Sequence, residues 1–322
     1  MQAIIFTEYG SPDVLQLVDV AKPTPKDNEV LVKIHAASAN PLDWHRMRGE
    51  PFLARLSEGY SKPKDPRIGA DVAGQIEAVG RNVTEFQASD DVFGDVFTGS
   101  FAEYVCVSED KLALKPSNVS FEEAASTPVV GFTAIQGLRD AGHIQAGERV
   151  LINGASGGVG TFAVQYAKAV GAEVTGVCST HNLDMVRAIG ADHVIDYTRE
   201  DFTRNGQQYD LIYDAVGNRT VSDFRRALTP DGRAVVAGFT GLGLLFQTII
   251  WGGIVSKFGS QKIGLMKTAY SNKKDLNIIR ELLETGKVKP VIDRCYPLSE
   301  TAEAIRYLET MRARGKVIIK VV

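Results

Sequence analysis

The stretch at residues 149–160, RVLINGASGGVG, constrains the fold of this chain more than any other feature. Its apolar start, at 150–152, is typical of a short strand buried on both faces. Residues 161–170 follow with apolar side chains at helical spacing, and Gly171 ends that pattern. A glycine-rich turn between a strand and a helix brings backbone N–H groups to the positive end of the helix dipole, where a pyrophosphate binds. The stretch predicts a dinucleotide site, although a tight turn that merely needs small residues would read the same way.

Strands and helices alternate after this loop, and the alternation predicts the fold class. The segments in order are EVTGVCS, a helix at 182–189, HVIDY, YDLIYDAVG, a helix at 220–228, and GRAVVAGF. Such a series is typical of an α/β fold with a doubly wound, parallel Rossmann sheet and right-handed crossovers. Residues 1–124 instead show short alternating strands separated by glycine and proline, with no long periodic helix before about Phe121. That part of the chain predicts a β-rich barrel or sandwich.

Length, charge and cysteine content exclude several classes of protein. A chain of 322 residues is expected to form two domains. The net charge of −3 provides no broad basic surface, which argues against a nucleic-acid partner. The three cysteines are far apart and form no CxxC pair, so they indicate neither a disulfide framework nor a zinc knuckle. The sequence at the N-terminus lacks a signal-peptide pattern, and we therefore expect a cytoplasmic location.

One long apolar segment, at 237–266, approaches the length that crosses a bilayer. Gln247, the interior glycines and Lys257 weaken it as a lipid-facing helix. We therefore expect no integral membrane insertion. The segment is better interpreted as a loop and helix that cover a cleft or a subunit interface, and a homodimer is expected.

The spelling of the glycine loop, together with four landmarks in the first half of the chain, resembles a known family. Ala155 stands where the G-x-G-x-x-G template has glycine, and the loop reads Ala-Ser-Gly-Gly-Val-Gly. The landmarks are NPLD at 40–43, GADVAGQIEAVG at 69–80, DDVFG at 90–94 and GSFAEYV at 99–105. Together they resemble the medium-chain dehydrogenase/reductase superfamily, in its zinc-lacking quinone oxidoreductase branch. The resemblance implies a GroES-like catalytic domain at 1–124 and 287–322, and a dinucleotide-binding Rossmann domain at 125–286.

The positions that bind zinc in other members of this superfamily carry different residues here. The resemblance places Asn40 where zinc alcohol dehydrogenases have a cysteine ligand, and Ala70 where they have a histidine ligand. Their four-cysteine structural site has no counterpart, because Cys106 is the single cysteine between residues 80 and 120. We therefore expect no metal. Without a Lewis acid, alcohol oxidation is poorly supported, whereas hydride transfer to a quinone or an α,β-unsaturated carbonyl needs only orientation and a hydrogen-bond donor.

Four residues are candidates for the acceptor site. The resemblance places Asn40 beside the nicotinamide, where its amide would donate to the acceptor oxygen or to the carboxamide. The alternative is that Asn40 merely caps the turn before Pro41. Trp44, His45 and Tyr60 would line a pocket for a flat conjugated substrate. His45 would also donate a proton, although a lone histidine is often an ordinary structural residue.

The end of the second Rossmann strand indicates which nicotinamide cofactor binds. It carries Ser179 and Thr180 rather than the carboxylate of an NAD site, so NADPH is expected. Relatives often have Arg or Lys at position 181, where this chain has His181. The expected cofactor-binding residues come from the glycine loop, from the strand ends and, for Thr133 and Tyr197, from the resemblance; Lys316, which opens the last strand, is a further candidate for a phosphate contact. They are Thr133, Gly154, Ala155, Ser156, Gly157, Gly158, Val159, Ser179, Thr180, Asn182, Tyr197, Val216, Gly238, Phe239 and Lys316.

Two functions stay open on this reading. The first is a zinc-independent, NADPH-dependent oxidoreductase that transfers hydride to quinones or α,β-unsaturated carbonyls. The second is an NADPH-binding sensor or docking protein with little turnover, for which the apolar segment at 240–266 would supply the contact surface.

Overall fold

The structure, a computed structural model, describes residues 1–52 and 55–321. The chain forms two compact units. The first unit comprises Met1–Val129, Ser271–Thr285 and Pro290–Val322, and the second comprises Val130–Tyr270 and Gly286–Lys289.

The strands of the described residues are β1 (Gln2–Ile5), β2 (Gln16–Asp19), β3 (Glu29–Ala39), β4 (Asp71–Val79), β5 (Asp91–Asp95), β6 (Tyr104–Ser108), β7 (Leu112–Leu114), β8 (Arg149–Asn153), β9 (Glu173–Cys178), β10 (His193–Asp196), β11 (Tyr209–Asp214), β12 (Leu228–Val236), β13 (Lys262–Leu265), β14 (Ile292–Pro297) and β15 (Lys316–Lys320). The α-helices are α1 (Pro41–Arg48), α2 (Arg55–Glu58), α3 (Phe121–Ala125), α4 (Pro128–Ile135), α5 (Gly158–Val170), α6 (Leu183–Ala188), α7 (Val221–Ala227), α8 (Leu242–Gln247), α9 (Gly253–Phe258), α10 (Lys273–Glu284) and α11 (Thr301–Glu309).

The first unit is built around a largely antiparallel sheet with the strand order β14-β15-β3-β4-β5-β7, and β6 also pairs with β3. Strand β3 has eleven residues and is buried along most of its length. Its side chains enter two buried cores, one around Ile34 and Val72 and the other around Ala37 and Phe101. This β-rich unit agrees with the fold predicted for residues 1–124.

Helix α1 in this unit was not predicted. Pro41 occupies its first turn, Asp43 lies near its N-terminus, and Gly49 ends it in the left-handed conformation at φ 63°. Each of these is a recognised helix-boundary signal. The helix is only eight residues long, so hydrophobic periodicity gave no signal for it.

The second unit contains a six-stranded parallel sheet with the order β10-β9-β8-β11-β12-β13. Strand β8 lies at its centre, and the chain leaves it first toward β9 on one side and later toward β11 on the other. Val150, Leu151 and Ile152 of β8 are fully buried, as a strand covered on both faces requires. The predicted α/β Rossmann fold is confirmed.

One boundary between the units differs from the prediction. The expected Rossmann range of 125–286 included the segment Ser271–Thr285, which belongs to the first unit. Helix α10 in this segment is held there because Lys273 donates to the carbonyl oxygens of Glu109 and Leu112, at 3.2 and 2.7 Å. Asn118 donates to the carbonyl oxygen of Leu283 at the other end of the helix. These contacts link residues about 165 positions apart in the chain, which a local pattern does not reveal.

The apolar segment forms α8 and α9, joined by a π-helical turn at Thr248–Gly252. We call residues 242–258 the apolar helix. Within residues 1–52 and 55–321, no helix has the length and apolar character that a membrane crossing would need.

Candidate functional site

The glycine loop, residues 154–157, joins β8 to α5 at the carboxyl edge of the parallel sheet. Gly154 has φ +85°, a conformation that other residues rarely adopt. A side chain at Gly160 would overlap the carbonyl oxygen of Gly154, so the first turn of α5 packs directly against the loop. Ala155, which stands in place of the template glycine, is fully buried, so the position requires a small side chain.

This loop fits the diphosphate part of a dinucleotide. The first N–H groups of a helix have no acceptor within the helix, and α5 begins at Gly158. The amides of Gly158 and Val159 and the helix dipole therefore favour an anion at this end. Strand β8 lies between β9 and β11, where the connections diverge to opposite sides, which is the usual ligand crevice of such sheets.

Polar side chains at the end of β9 form a connected group beside the loop. The Nδ2 atom of Asn182 donates to the Oγ atoms of Ser156 and Ser179, at 3.1 and 3.2 Å. Its Oδ1 atom is buried and has no partner among the described residues. An unpaired buried acceptor next to the loop is the kind of atom that a ligand hydroxyl would satisfy.

Thr180 does not have the role expected for it. Its hydroxyl group donates to Oδ2 of Asp196 at 2.5 Å, so that hydrogen is not available to a phosphate. Asp196 ends the neighbouring strand β10, where it lies opposite Cys178, and it also accepts from Thr198. The hydrogen bond from Thr180 is the main cause that holds the pKa of Asp196 below its usual range. Strand β9 therefore has no carboxylate at its own end, but the carboxylate of Asp196 on β10 lies close to that end.

Tyr197 follows Asp196 and is half exposed, at 50%. Its ring is therefore accessible at the same sheet edge as Ser179. The Nε atom of Arg199 lies 3.6 Å from Oδ2 of Asp196 and partly offsets the negative charge of that carboxylate. His181 follows Thr180 in a short 3-10 turn at Thr180–Asn182.

The loops after β11 and β12 meet at the same edge of the sheet. The amides of Val216 and Gly217 donate to Oδ1 of Asp214, at 2.9 and 3.0 Å. A side chain on Gly217 would overlap the carbonyl oxygen of Gly238, so the two loops touch. Phe239 follows with an exposed ring. The structure thus brings these expected residues to the edge that carries the glycine loop.

Asp214 and Asn153 are residues of this edge that the sequence analysis missed. The Nδ2 atom of Asn153 donates to Oδ1 of Asp214 at 2.8 Å, and burial raises the pKa of that carboxyl group. Each residue ends a buried strand. A polar residue directly after an apolar run is therefore the sequence pattern that could have identified them. Thr133 lies nearby in α4, where its carbonyl oxygen accepts from the hydroxyl group of Tyr213, the residue before Asp214.

In the first unit, the side chain of Asn40 is buried and fully bonded. Its Nδ2 atom donates to the carbonyl oxygen of Ser38 at 3.2 Å and to Oδ2 of Asp71 at 2.8 Å. Its Oδ1 atom accepts from Nζ of Lys316 at 2.6 Å. Both amide hydrogens are used, so the expected donation from Asn40 to an acceptor oxygen is wrong for this structure. Asn40 stands at the N-cap of α1, where its backbone N–H donates to the carboxylate of Asp43 at 2.7 Å, so its position agrees with the alternative of a cap before Pro41.

Lys316 is likewise not placed for a phosphate contact. It is only 5% exposed, and its ammonium group bonds to Asn40 and to the carbonyl oxygen of Ala39 inside the first unit. A buried, bonded ammonium is not available to a soluble ligand, so the expectation for Lys316 is corrected.

Asp43 holds the start of α1 from within the same buried region. Its carboxylate accepts from the backbone N–H of Asn40 at 2.7 Å and from that of Gly69 at 3.1 Å. Burial is the main cause that raises the pKa of Asp43 to about 7.

Trp44 and His45 follow on α1 with their rings stacked, 3.7 Å apart between centroids. The Nδ1 atom of His45 is buried without a hydrogen-bond partner among the described residues. Burial lowers the pKa of His45 below its ordinary value, so its ring is neutral at pH 7. The pair presents an aromatic surface and one unsatisfied ring nitrogen.

Tyr60 is not part of this pair. Its side chain is 67% exposed and its ring packs edge-on against Phe52 at 5.7 Å. Across the described part of the chain, no ring contact joins Tyr60 to Trp44 or His45.

Asn40 and Ala70 occupy the two positions at which zinc ligands would be expected. Asn40 is bonded as described, and Ala70 is fully buried with no ligating atom. Among residues 1–52 and 55–321, no group of three or more His, Cys, Asp or Glu side chains is arranged to hold a metal ion.

Two family models match the chain. Residues 26–117 match the alcohol dehydrogenase GroES-like domain, and residues 189–319 match a family described as zinc-binding dehydrogenase.

Named relatives cover nearly the whole chain. A 2-methylene-furan-3-one reductase of Solanum lycopersicum is 38% identical over 99% of this chain and 79% of its own length. An NADPH-dependent alkenal/one oxidoreductase, chloroplastic, of Arabidopsis thaliana is 35% identical with the same coverage. The solved quinone oxidoreductase of Coxiella burnetii has a TM-score of 0.85 and 32% identity, and the match covers 100% of this chain and 99% of that one.

Proposed function

The chain belongs to the medium-chain dehydrogenase/reductase superfamily, in its zinc-lacking quinone oxidoreductase branch, and from that membership we propose its reaction. It is an oxidoreductase that transfers hydride from a reduced nicotinamide cofactor to quinones or α,β-unsaturated carbonyls. The observation that carries the proposal is the glycine loop after the central strand of a parallel sheet, where the free backbone amides at the start of α5 suit a pyrophosphate.

NADPH is proposed as the cofactor in preference to NADH. In its support, β9 ends in Ser179 without a carboxylate, and Tyr197 is exposed at the same edge. The carboxylate of Asp196 would repel a 2′-phosphate. However, it already accepts hydrogen bonds from Thr180 and Thr198 and pairs with Arg199. The name of the Arabidopsis relative, which includes NADPH, agrees with this choice.

The bound nicotinamide supplies the hydride, and the chain's own residues bind and orient the two reactants. The amides of the glycine loop and of α5 would hold the diphosphate, while Ser179 and Asn182 would hold the adenosine end. Trp44 and His45 are assigned to the acceptor, because a stacked aromatic pair suits a flat conjugated molecule. Conjugation spreads the charge that hydride transfer creates, so the acceptor needs a proton but no metal.

The reaction is tested with purified protein and a small acceptor panel. NADPH oxidation, followed at the absorbance band of the reduced nicotinamide, is expected with a naphthoquinone and with an alkyl vinyl ketone. A saturated ketone of the same size is the control and is expected to be inert, because no conjugation stabilises its charge. Tight NADPH binding without turnover on any acceptor would instead identify the sensor or docking protein, a reading that the reductase relatives do not favour.

We further propose that the chain forms a homodimer through the apolar helix. Seven large apolar residues of this helix are more than 40% exposed, namely Leu242, Phe246, Ile249, Ile250, Trp251, Ile254 and Phe258. Together these exposed side chains form a larger apolar surface than monomers usually expose. Two-fold symmetry would cover it with its own copy. The cytoplasmic location stays a prediction, and the Arabidopsis relative is named as chloroplastic.

A further inference from the structure

A lysine ammonium group lies buried next to Asn40, the residue directly before helix α1. Lys316 begins β15, and its three N–H donors have three partners in the first unit. These are the carbonyl oxygen of Ala39 at 3.2 Å, Oδ1 of Asn40 at 2.6 Å and Oδ2 of Asp71 at 3.4 Å. A charge removed from water in this way is costly unless it is fully paired.

Asp71 supplies the opposite charge and is itself completely bonded. Its Oδ2 atom also accepts from the hydroxyl group of Ser38 at 2.5 Å and from Nδ2 of Asn40 at 2.8 Å. Its Oδ1 atom accepts from the backbone N–H of Val129 at 2.8 Å. Asp71 is fully buried, so these bonds are not exchanged with water.

The two charges fix the orientation of the Asn40 amide. The oxygen of the amide faces the ammonium group and the nitrogen faces the carboxylate. A flipped amide would place its NH₂ against Lys316 and its oxygen against Asp71, so both bonds would become repulsive. The network therefore selects one rotamer of a residue that lies directly before α1.

The backbone of Asn40 also anchors the start of α1. The backbone N–H of Asn40 is held by Asp43, which also holds Gly69. Trp44 and His45 begin the next turn of the same helix, four and five residues after Asn40. A shift of the corner between β3 and α1 would therefore move both rings.

We propose that Lys316, acting with Asp71 through Asn40, is a positioning residue for the acceptor in hydride transfer. The ammonium group does not touch the acceptor, and it holds the start of the helix that presents Trp44 and His45. This inference rests on the proposed function, because Trp44 and His45 are assigned to the acceptor there. Misplacement of a reactant by about 1 Å can lower a rate by about 10²-fold, so a loose corner is enough to impair the reaction.

The test compares Lys316→Met with Lys320→Met. Lys320 lies at the other end of β15, is half exposed and pairs with Glu122 at 2.9 Å, so it is a matched control on the same strand. We expect Lys316→Met to lower kcat/KM for an enone by about tenfold or more, with an increased KM, and to leave the Kd for NADPH within about twofold. Lys320→Met is expected to retain both values.

A second variant separates positioning from charge balance. Lys316→Met leaves Asp71 buried without its charge partner and is expected to lower the thermal stability. Lys316→Met/Asp71→Asn removes both buried charges, so it is expected to be more stable than Lys316→Met while its kcat/KM for the enone stays as low. Recovery of kcat/KM in the double variant would show that Lys316 only neutralises Asp71, and the proposal would be wrong. Wild-type kinetics in Lys316→Met would equally overturn it.

Hydrogen exchange gives a readout that does not depend on turnover. Peptides that span residues 38–49 are expected to exchange faster in Lys316→Met than in Lys320→Met, because the amide of Asn40 is held at this corner. Unchanged exchange would contradict the positioning role. If the wild-type protein reduces no acceptor at all, the proposed function fails, and the exchange comparison still decides whether Lys316 fixes the corner.

Discussion

His45 has an environment that makes its contribution testable by pH. Burial lowers its pKa below the ordinary value of about 6.5, and its ring stacks on Trp44. If His45 donates the proton that an enone needs after hydride transfer, its protonated form is required. The protonated fraction increases as the pH falls through the lowered pKa. We therefore expect kcat for an enone to increase as the pH is lowered through about 6.5 and to level off only below the lowered pKa of His45, while above that pKa it continues to decline as the pH rises.

The control for this prediction is His45→Gln, which keeps a polar side chain but cannot titrate. Its pH profile is expected to be flat over the same range, with a lower kcat at the acidic end. A quinone is expected to depend less on His45, because the reduced quinone is a more stable anion than an enolate. An unchanged acidic limb in His45→Gln would assign the proton to another donor.

Cofactor preference depends on the charge at the ends of β9 and β10. Ser179→Asp would place a carboxylate beside the expected 2′-phosphate, where like charges repel. We expect tighter binding of NADPH than of NADH in the wild-type protein, and a reversal of that order in Ser179→Asp. A change of about tenfold in the ratio of Kd values corresponds to ~1.4 kcal/mol, which is modest for one charge. Titration of each reduced cofactor by fluorescence measures the ratio.

Asp196→Asn provides the opposite change at the same edge. It removes the carboxylate that holds Thr180 and is expected to shift the ratio further toward NADPH. Equal affinity of the wild-type protein for both cofactors would contradict the NADPH assignment. A shift toward NADH in Asp196→Asn would show that Asp196 acts by ordering Thr180 rather than by its charge.

At the scale of secondary-structure elements, the apolar helix determines how the protein associates. Phe246 and Ile250 lie one turn apart on its exposed side, at 57% and 56% exposure. Phe246→Lys/Ile250→Lys is expected to convert a dimer into a monomer in light scattering, because two charges per copy would be buried without partners. Leu17→Lys, an exposed apolar position on β2, is the matched control and should remain dimeric.

Two other outcomes for the apolar helix are distinguishable. A wild-type protein that stays monomeric and well dispersed at high concentration would disprove the interface. The remaining expectation, that the segment covers the acceptor, then predicts a changed acceptor KM in the double lysine variant. Unchanged kinetics in that variant would show that neither expectation holds.

Strands and helices with a repeated apolar pattern were predictable from the sequence. Helix α1, which is defined by the residues at its two ends, was not. Strand β8 and helix α5 were found because burial repeats along each of them, and repetition is visible in a short window. Helix α1 is short, and it is held by Pro41, Asp43 and Gly49 rather than by an apolar stripe. Reading these boundary signals ahead of the periodicity would have located it.

At the scale of the whole molecule, the unpredicted part of the site is the part made by distant contacts. The hydrogen bond between Lys316 and Asn40 joins residues 276 positions apart, and no local pattern specifies it. Sequence reasoning therefore gave Asn40 a free amide and Lys316 a free ammonium group. The connection from β8 to α5, in contrast, lies where the local pattern predicts it, because a glycine-rich turn between two apolar segments is visible in a short window.

Metal content is the last property that belongs to the whole chain. One family model is described as zinc-binding dehydrogenase, yet Asn40 and Ala70 stand at the expected ligand positions. We expect elemental analysis of the purified protein to find far less than one zinc per chain, and enone reduction to survive prolonged treatment with a chelator. The physical reason is that a catalytic zinc needs three protein ligands, whereas a buried amide already bonded on both ends and a methyl group offer none. A zinc alcohol dehydrogenase treated in parallel should lose its activity, which verifies the chelation. Stoichiometric zinc, with activity that disappears on its removal and returns on its addition, would show that this chain holds the metal through other residues.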